Sequence, residues 1–255
     1  IISTPNGMNH FYKLWVDAQK GRNGYAWNEV HWSKVPGRDA KWKETTIANT
    51  SERQFTQEFE CEFLGSVDTL ISAAKLRTLV YDDPLVQNAG LDVYENPVDN
   101  HDYIICVDVS RGLSQDYSAF VVIDITHAPW KLVAKYRNKD IRPMLFPNVI
   151  YNVATNYNNA NVLIEVNDIG EAVASQLYYD VEYENVLMCA MRGRSGQVVG
   201  QGFSGNKVQM GVKMSKTVKA QGCSNLKTLI EDDKLLVRDY NIVAELTTFI
   251  QNKQS

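Results

Sequence analysis

Apolar runs rich in β-branched residues mark the middle of the chain. The first covers residues 103–109, the second covers residues 119–125 after a turn-rich segment, and the third covers residues 131–137. Short apolar runs bounded by turn residues are typical of strands. The pattern therefore predicts three successive strands with short connections, arranged as an antiparallel meander.

Beyond this meander, the apolar spacing alternates between the period of a helix and that of a strand. Helices are predicted at residues 146–157, 170–179, 213–232 and 241–249, and strands at residues 161–166, 186–190 and 235–238. Three strands followed by alternating helices and strands predict an α/β fold in which helices flank a mixed sheet.

Residues 1–66 are less regular than the rest of the chain. Apolar residues at helical spacing predict a helix from Phe11 to about Gly21, residues 50–59 predict a second helix, and residues 26–32 predict a strand. These elements are too few for a complete domain. Polar, proline-containing stretches follow, and we place a domain boundary after residue 66, so that residues 67–255 form the second domain.

Composition and charge exclude several classes of protein. Hydrophobic residues make up 44% and charged residues 22% of the chain, as in ordinary globular proteins, and the formal net charge is −4. No apolar run approaches the ~20 residues of a membrane span, and no cleavable signal sequence is present. The four cysteines lack metal-ligand spacing. We therefore expect a cytosolic chain with reduced thiols and no membrane partner.

Carboxylates follow two of the predicted strands. Asp108 lies near the end of the first strand, Asp116 lies near the turn that follows, and Glu165 lies near the end of the fourth strand. If the first and fourth strands are neighbours, Asp108 and Glu165 converge, and their oxygens suit Mg²⁺ or Mn²⁺ for phosphodiester hydrolysis. By itself, Asp108 is equally consistent with a strand-end residue that binds turn amides, and Glu165 with a capping or solvent-facing residue. Asp168 is predicted to cap the next helix.

The local charge of the second half is positive although the net charge is negative. Between residues 185 and 230 there is no Asp or Glu, whereas seven Lys and Arg residues occur there. A flexible, glycine-rich basic loop leading into a helix is typical of a track for a nucleic-acid backbone, and an ordinary solvated loop is the alternative. The residues predicted to contact DNA are Arg192, Arg194, Lys207, Lys213, Lys216 and Lys219.

Several stretches together resemble one known family, and the resemblance covers essentially the whole chain. They are ISTPNGMNHFY at residues 2–12, FLGS at residues 63–66, the acids Asp108, Asp116 and Glu165, and AQGCSNLK at residues 220–227. Residues 2–12 resemble the coupling-motif region of a packaging ATPase, and residues 63–66 resemble the passage into a nuclease domain. The chain is similar to the large terminase subunit of tailed bacteriophages of the myovirus type.

This resemblance implies an RNase H-like mixed sheet flanked by helices, preceded by a fragment of a P-loop ATPase domain. It implies an endonuclease that cuts concatemeric double-stranded DNA during ATP-driven genome packaging. Asp108 and Glu165 would be catalytic, and Asp108, Asp116 and Glu165 would hold Mg²⁺ or Mn²⁺. The implied partners are double-stranded DNA, the portal protein, the small terminase subunit and the upstream ATPase domain. The implied location is the host cytoplasm, at the procapsid portal vertex.

The chain departs from the family's pattern in two places. Arg111 stands where a relative of this type carries a glutamate. The family's third acid, in a His-Asp-Asp context, follows shortly after the last helix and is therefore expected after Ser255. Asp232, Asp233 and Asp239 precede that point, and we interpret them as surface or turn acids. We therefore expect the chain to be part of a longer protein, without the ATP-binding motifs of the motor.

Two alternative functions fit the same residues. A DNA-clamping or docking module would use the carboxylates for structure and bind DNA without cleaving it. Another RNase H-like enzyme, such as a resolvase or an integrase, would share the acids but would leave residues 1–66 unexplained.

Overall fold

A computed structural model describes residues 1–4, 9–61, 63, 69–113, 116–191, 197–199 and 208–250. The chain divides into two compact units. The first unit contains residues 1–79 and 240–255, and the second contains residues 80–239. The boundary predicted after residue 66 lies outside the described residues and stays a prediction.

From residue 146 onwards, helices and strands alternate as predicted, apart from two additional strands at residues 197–199 and 208–210. The helices are α1 (His10–Gln19), α2 (Ala40–Asn49), α3 (Glu52–Glu58), α4 (Ala73–Thr78), α5 (Phe146–Asn156), α6 (Gly170–Ser175), α7 (Lys216–Glu231) and α8 (Tyr240–Leu246). The strands are β1 (Val86–Asn88), β2 (Leu91–Val93), β3 (Tyr103–Asp108), β4 (Ser118–Asp124), β5 (Trp130–Asn138), β6 (Asn161–Ile164), β7 (Met188–Met191), β8 (Gln197–Val199), β9 (Val208–Met210) and β10 (Leu235–Leu236). Within the described ranges, no helix has the length and apolar character needed to cross a membrane.

Aromatic side chains pack together in the first unit. Trp32 stacks on Trp42 with ring centroids 6.0 Å apart, and Trp42 meets Phe59 edge-on at 5.3 Å. The predicted α1 and α3 are confirmed, but the strand predicted at residues 26–32 is wrong, and α2 is not predicted at all. Here the aromatic side chains pack against α2 and α3 rather than along a strand, and local spacing does not reveal this.

A mixed sheet of seven strands, all within residues 86–236, forms the centre of the second unit. Its order is β1-β2-β5-β4-β3-β6, and β10 pairs with the first part of β5. The antiparallel pairing of β3 with β4 and of β4 with β5 confirms the predicted meander. Because β6 lies parallel to β3 and β10 parallel to β5, the sheet is mixed, as predicted.

One face of this sheet packs against α5. Phe120 of β4 stacks on Tyr136 of β5 with ring centroids 5.1 Å apart. Phe146, the first residue of α5, lies 6.1 Å from Phe120 and 5.7 Å from Tyr136. Pro147 occupies the first turn of α5, where a proline removes no helical hydrogen bond. These contacts join α5 to β4 and β5 in the core of the second unit.

Part of the segment predicted as a flexible basic loop forms strands. β8 and β9 both pair antiparallel with β7, in the order β8-β7-β9. α7 begins at Lys216, three residues after the predicted start, because the Ser215 hydroxyl accepts the Val218 N–H as an N-cap. Residues 192–196 and 200–207 of the segment lie outside the described residues.

Candidate metal centre

Asp108 and Glu165 leave the sheet at the same edge. β3 and β6 are parallel neighbours whose last paired residues are Val107 and Ile164. The Glu165 N–H donates to the Val107 carbonyl at 2.9 Å, which extends the pairing by one residue. Asp108 and Glu165 thus occupy equivalent positions on strands about 5 Å apart. The neighbouring strands that the prediction requires are confirmed, whereas the role of both acids as metal ligands stays a prediction.

The carboxylates at this edge repel one another. Burial, and then the charge of Asp116, raises the pKa of Asp108. Burial, and then the charge of Asp108, raises the pKa of Glu165, while Lys219 opposes that rise. A raised carboxyl pKa means that the ionised form is destabilised. The site therefore concentrates negative charge that a cation would neutralise.

A buried pair of serines positions the backbone of Asp116. The Ser110 hydroxyl donates to the Asp116 main-chain carbonyl at 3.1 Å and lies 3.2 Å from the Ser118 hydroxyl. The Ser118 hydroxyl also accepts the Ser110 N–H at 3.1 Å. These bonds hold the Asp116 backbone beside Ser110, and the Asp116 charge acts on Asp108. Sequence reasoning missed both serines. The available signal was that one serine closely follows β3 and the other begins β4.

The turn after Glu165 is hydrogen-bonded to the segment that precedes α7. The Asn167 side-chain amide donates to the Met214 carbonyl at 3.0 Å, and its carbonyl oxygen accepts the Met214 N–H at 2.9 Å. Val212 continues this link, because its carbonyl accepts the Val166 N–H at 2.9 Å. The start of α7 is therefore held beside Glu165. Sequence reasoning also missed this role of Asn167. Its side-chain amide has both a donor and an acceptor, so it can bond a backbone N–H and carbonyl as a neighbouring strand would.

Two glycines permit this close approach of backbones. A Cβ at Gly170 would lie 1.9 Å from the Glu165 carbonyl oxygen. A Cβ at Gly211, where φ is +71°, would lie 2.3 Å from the Ile164 carbonyl oxygen. A side chain at either position would displace the strand end that carries Glu165.

Three lysines of the predicted DNA track lie within the described residues. Lys213, Lys216 and Lys219 are exposed, and Lys216 and Lys219 are three residues apart on α7, which places them on one face. Lys219 is close enough for its charge to act on Glu165. Outside the described residues lie the other predicted contacts, Arg192, Arg194 and Lys207.

Two acids have roles that differ from their predictions. Asp168 does not cap α6, because its φ is +52° and its carboxylate pairs with the Arg111 guanidinium. Asp239 is not a surface or turn acid, because it is 1% exposed and bonds the side chains of Lys135 and Tyr94. In both cases a partner far away in the sequence determines the environment of the acid.

The acids at this edge suit a hard divalent cation that also binds substrate. In the part of the chain that the structure describes, no three His, Cys, Asp or Glu side chains are gathered to hold an ion. Mg²⁺ commonly takes one or two carboxylates and completes its shell with water and substrate phosphate. Asp108 and Glu165, with Asp116 nearby, fit this open mode of binding rather than a closed cage of protein ligands.

The fold and the site together define a class of protein. A three-stranded meander, a fourth strand parallel to the first, and acids at the ends of both describe an RNase H-like nuclease domain. The family model of the Terminase RNaseH-like domain matches residues 105–253, which is more than half of the chain. The chain belongs to this family.

Comparisons with known proteins agree with this assignment. The large terminase subunit of Thermus phage G20c is 24% identical over 265 residues, in an alignment that covers 98% of this chain and 48% of that protein. The chain thus spans about half the length of this relative. Crystal structures of the large terminase nuclease from thermophilic phage G20c, with bound magnesium or cobalt, match with TM-scores of 0.57 and 0.56. Each is 22% identical and covers 74% of this chain and 85% of the nuclease, so the fold is shared.

Proposed function

We propose that the chain is the endonuclease part of a viral large terminase and cuts concatemeric double-stranded DNA by metal-dependent phosphodiester hydrolysis. The placement of Asp108 and Glu165 at the ends of neighbouring parallel strands carries this proposal. Membership of the terminase family and the name of the phage G20c relative support it.

Asp108 and Glu165 would hold Mg²⁺, or Mn²⁺, beside the phosphate to be cleaved, and Asp116 would support them. When bound, such ions lower the pKa of water and stabilise the leaving oxygen. The protein contributes rigidity, because both main ligands lie at the ends of paired strands. Lys219 and the rest of the predicted basic track would hold the DNA backbone near these acids.

The chain would act together with other parts of a packaging machine. These are an upstream ATPase domain, the small terminase subunit and the portal protein, and the site of action would be the procapsid portal vertex in the host cytoplasm. The relative's name, that of a large terminase subunit, supports this assembly.

The proposal predicts that the intact protein nicks and linearises supercoiled plasmid only when a divalent metal is present. EDTA should abolish cleavage, and Mn²⁺ should replace Mg²⁺. Because the pKa values of Asp108 and Glu165 are raised, protons should displace the metal at higher pH than from ordinary carboxylates. As the pH is lowered, the cleavage rate should therefore begin to fall at a pH above the pKa of an ordinary carboxyl group. Gel electrophoresis of timed samples at constant ionic strength measures the rate.

A DNA-clamping module without catalysis would behave differently. It would bind plasmid in a salt-sensitive manner but leave the plasmid supercoiled with every metal. Bound but uncut DNA, with the protein folded, would contradict the proposed activity.

Replacing Lys213 and Lys216 with glutamine should weaken DNA binding. Each lysine that contacts a phosphate displaces counterions, so the salt slope of binding should fall by about 2 and the affinity by roughly tenfold near physiological salt. Fluorescence anisotropy with a labelled duplex of about 30 base pairs in EDTA measures both quantities. The double variant with Lys131→Gln and Lys234→Gln is the matched control. These lysines face the acids Glu95 and Asp232, and both lie outside residues 185–230.

A further inference from the structure

An exposed ion pair joins the two loops that follow the proposed catalytic acids. Arg111 lies three residues after Asp108, and Asp168 lies three residues after Glu165. The Arg111 Nε donates to Asp168 Oδ2 at 2.6 Å, and its Nη2 donates to Oδ1 at 2.8 Å. The guanidinium and the carboxylate thus form a bidentate pair beside the candidate metal centre.

This pair lies on the surface of the molecule. The Arg111 side chain is 68% exposed and the Asp168 side chain 58% exposed. At this exposure, water solvates both charges when the pair separates, and dissolved ions screen their attraction. Another anion in solution therefore has access to the Arg111 guanidinium.

Contacts other than the ion pair hold the backbone next to Asp168. Its φ of +52° belongs to the left-handed region, and the preceding Asn167 is bonded twice to Met214. The N-cap residue of α6 is Ile169, so the helix does not use the Asp168 carboxylate. The carboxylate therefore has a defined position, and the contact that the structure gives its side chain is with Arg111.

We propose that Arg111 binds a DNA phosphate, and that in the free protein Asp168 occupies the same donors as an internal competitor of the DNA backbone. The planar fork of a guanidinium fits phosphate and carboxylate with the same bidentate geometry. A duplex placed for cleavage between Asp108 and Glu165 presents phosphates next to this pair. The inference rests on the proposed function, because it takes DNA as the substrate.

A purely structural clasp is the alternative role for the pair. If the pair served to hold the two loops together, removing either partner would loosen both loops and weaken DNA binding to a similar extent. If Asp168 competes with DNA, the two substitutions act in opposite directions. The sign of the effect of Asp168→Asn therefore separates the two roles.

The experiment measures the affinity of the full chain for a labelled duplex of about 30 base pairs by fluorescence anisotropy in EDTA. Arg111→Gln should weaken binding roughly three- to tenfold and reduce the salt slope by about 1, whereas Asp168→Asn should tighten binding by a similar factor. Asparagine tolerates a positive φ, so this variant keeps the turn. In the double variant, Asp168→Asn should have no further effect, because Asp168 acts through Arg111.

The exposed pair of Asp232 and Lys234, 2.8 Å apart, gives the matched control, and Asp232→Asn should leave the affinity unchanged. Three results would overturn the inference. Asp168→Asn could bind the duplex more weakly, both single variants could bind it with unchanged affinity, or Asp168→Asn could still tighten binding in the Arg111→Gln background. In each case, weaker binding by the Lys213 and Lys216 variant would still support DNA as the ligand. A folded, unaltered protein that binds no duplex at low salt would contradict the proposed function, and the inference with it.

Discussion

Asparagine in place of Asp108 is expected to lower the rate of plasmid cleavage by about 10³-fold or more, because the metal loses an anionic ligand next to the scissile phosphate. The substitution preserves the shape of the side chain. Burial and Asp116 raise the pKa of Asp108 in the folded protein, so its ionised form opposes folding above the ordinary aspartate range. The melting temperature of Asp108→Asn should therefore equal or exceed that of the unaltered protein at neutral pH. Cleavage rates and thermal unfolding, measured on the same samples, check both expectations.

Asp102→Asn is the matched control, because Asp102 immediately precedes the opposite end of β3. Glu165→Gln should cause a loss similar to that of Asp108→Asn. The double variant should lose little more, because both acids serve one site. If Asp108→Asn nicked plasmid at the rate of the unaltered protein, the assignment of Asp108 as a catalytic residue would be wrong. A melting temperature that falls together with activity would instead assign it a structural role.

Methionine in place of Lys135 is expected to destabilise the second unit by about 3–5 kcal/mol, since it removes one partner of a buried ion pair. Lys135 is 5% exposed in β5, and its Nζ lies 2.5 Å from Asp239 and 3.0 Å from Asp92. Asp239 also accepts the Tyr94 hydroxyl at 2.5 Å, and burial followed by this bond raises the pKa of Tyr94. Hydrogen exchange of the β4 and β5 amides measures the loss in the second unit alone.

Lys131→Met is the control, because Lys131 lies on the same strand but is 40% exposed and 3.7 Å from Glu95. Its substitution should change the stability by less than about 1 kcal/mol. Replacing Lys135 and Asp239 together with apolar residues should cost less than the sum of the single changes, because no buried charge then loses its counterpart. Equal effects of Lys135→Met and Lys131→Met would contradict a stabilising role for the buried pair.

Local patterns predicted most elements of the second unit. The meander and the helix at α5 follow from apolar spacing and from Pro147, and both are confirmed. The same spacing failed at residues 26–32, where aromatic residues pack on helices, and in the basic segment, where β8 and β9 form. In these places the packing partner lies elsewhere in the chain, and a local pattern does not identify it.

The sequence was sufficient to identify Asp108 and Glu165 as candidate ligands. An acid at the end of an apolar run is a local feature, and it can be recognised without knowing how the strands pair. Their convergence depended on the parallel pairing of β3 with β6, which joins residues 57 positions apart. The pairing of Arg111 with Asp168 and the burial of Asp239 beside Lys135 depended on the fold in the same way. In each of these three relations the partner lies far away in the sequence, where a local pattern does not identify it. The relations became visible only when the fold brought the distant segments together.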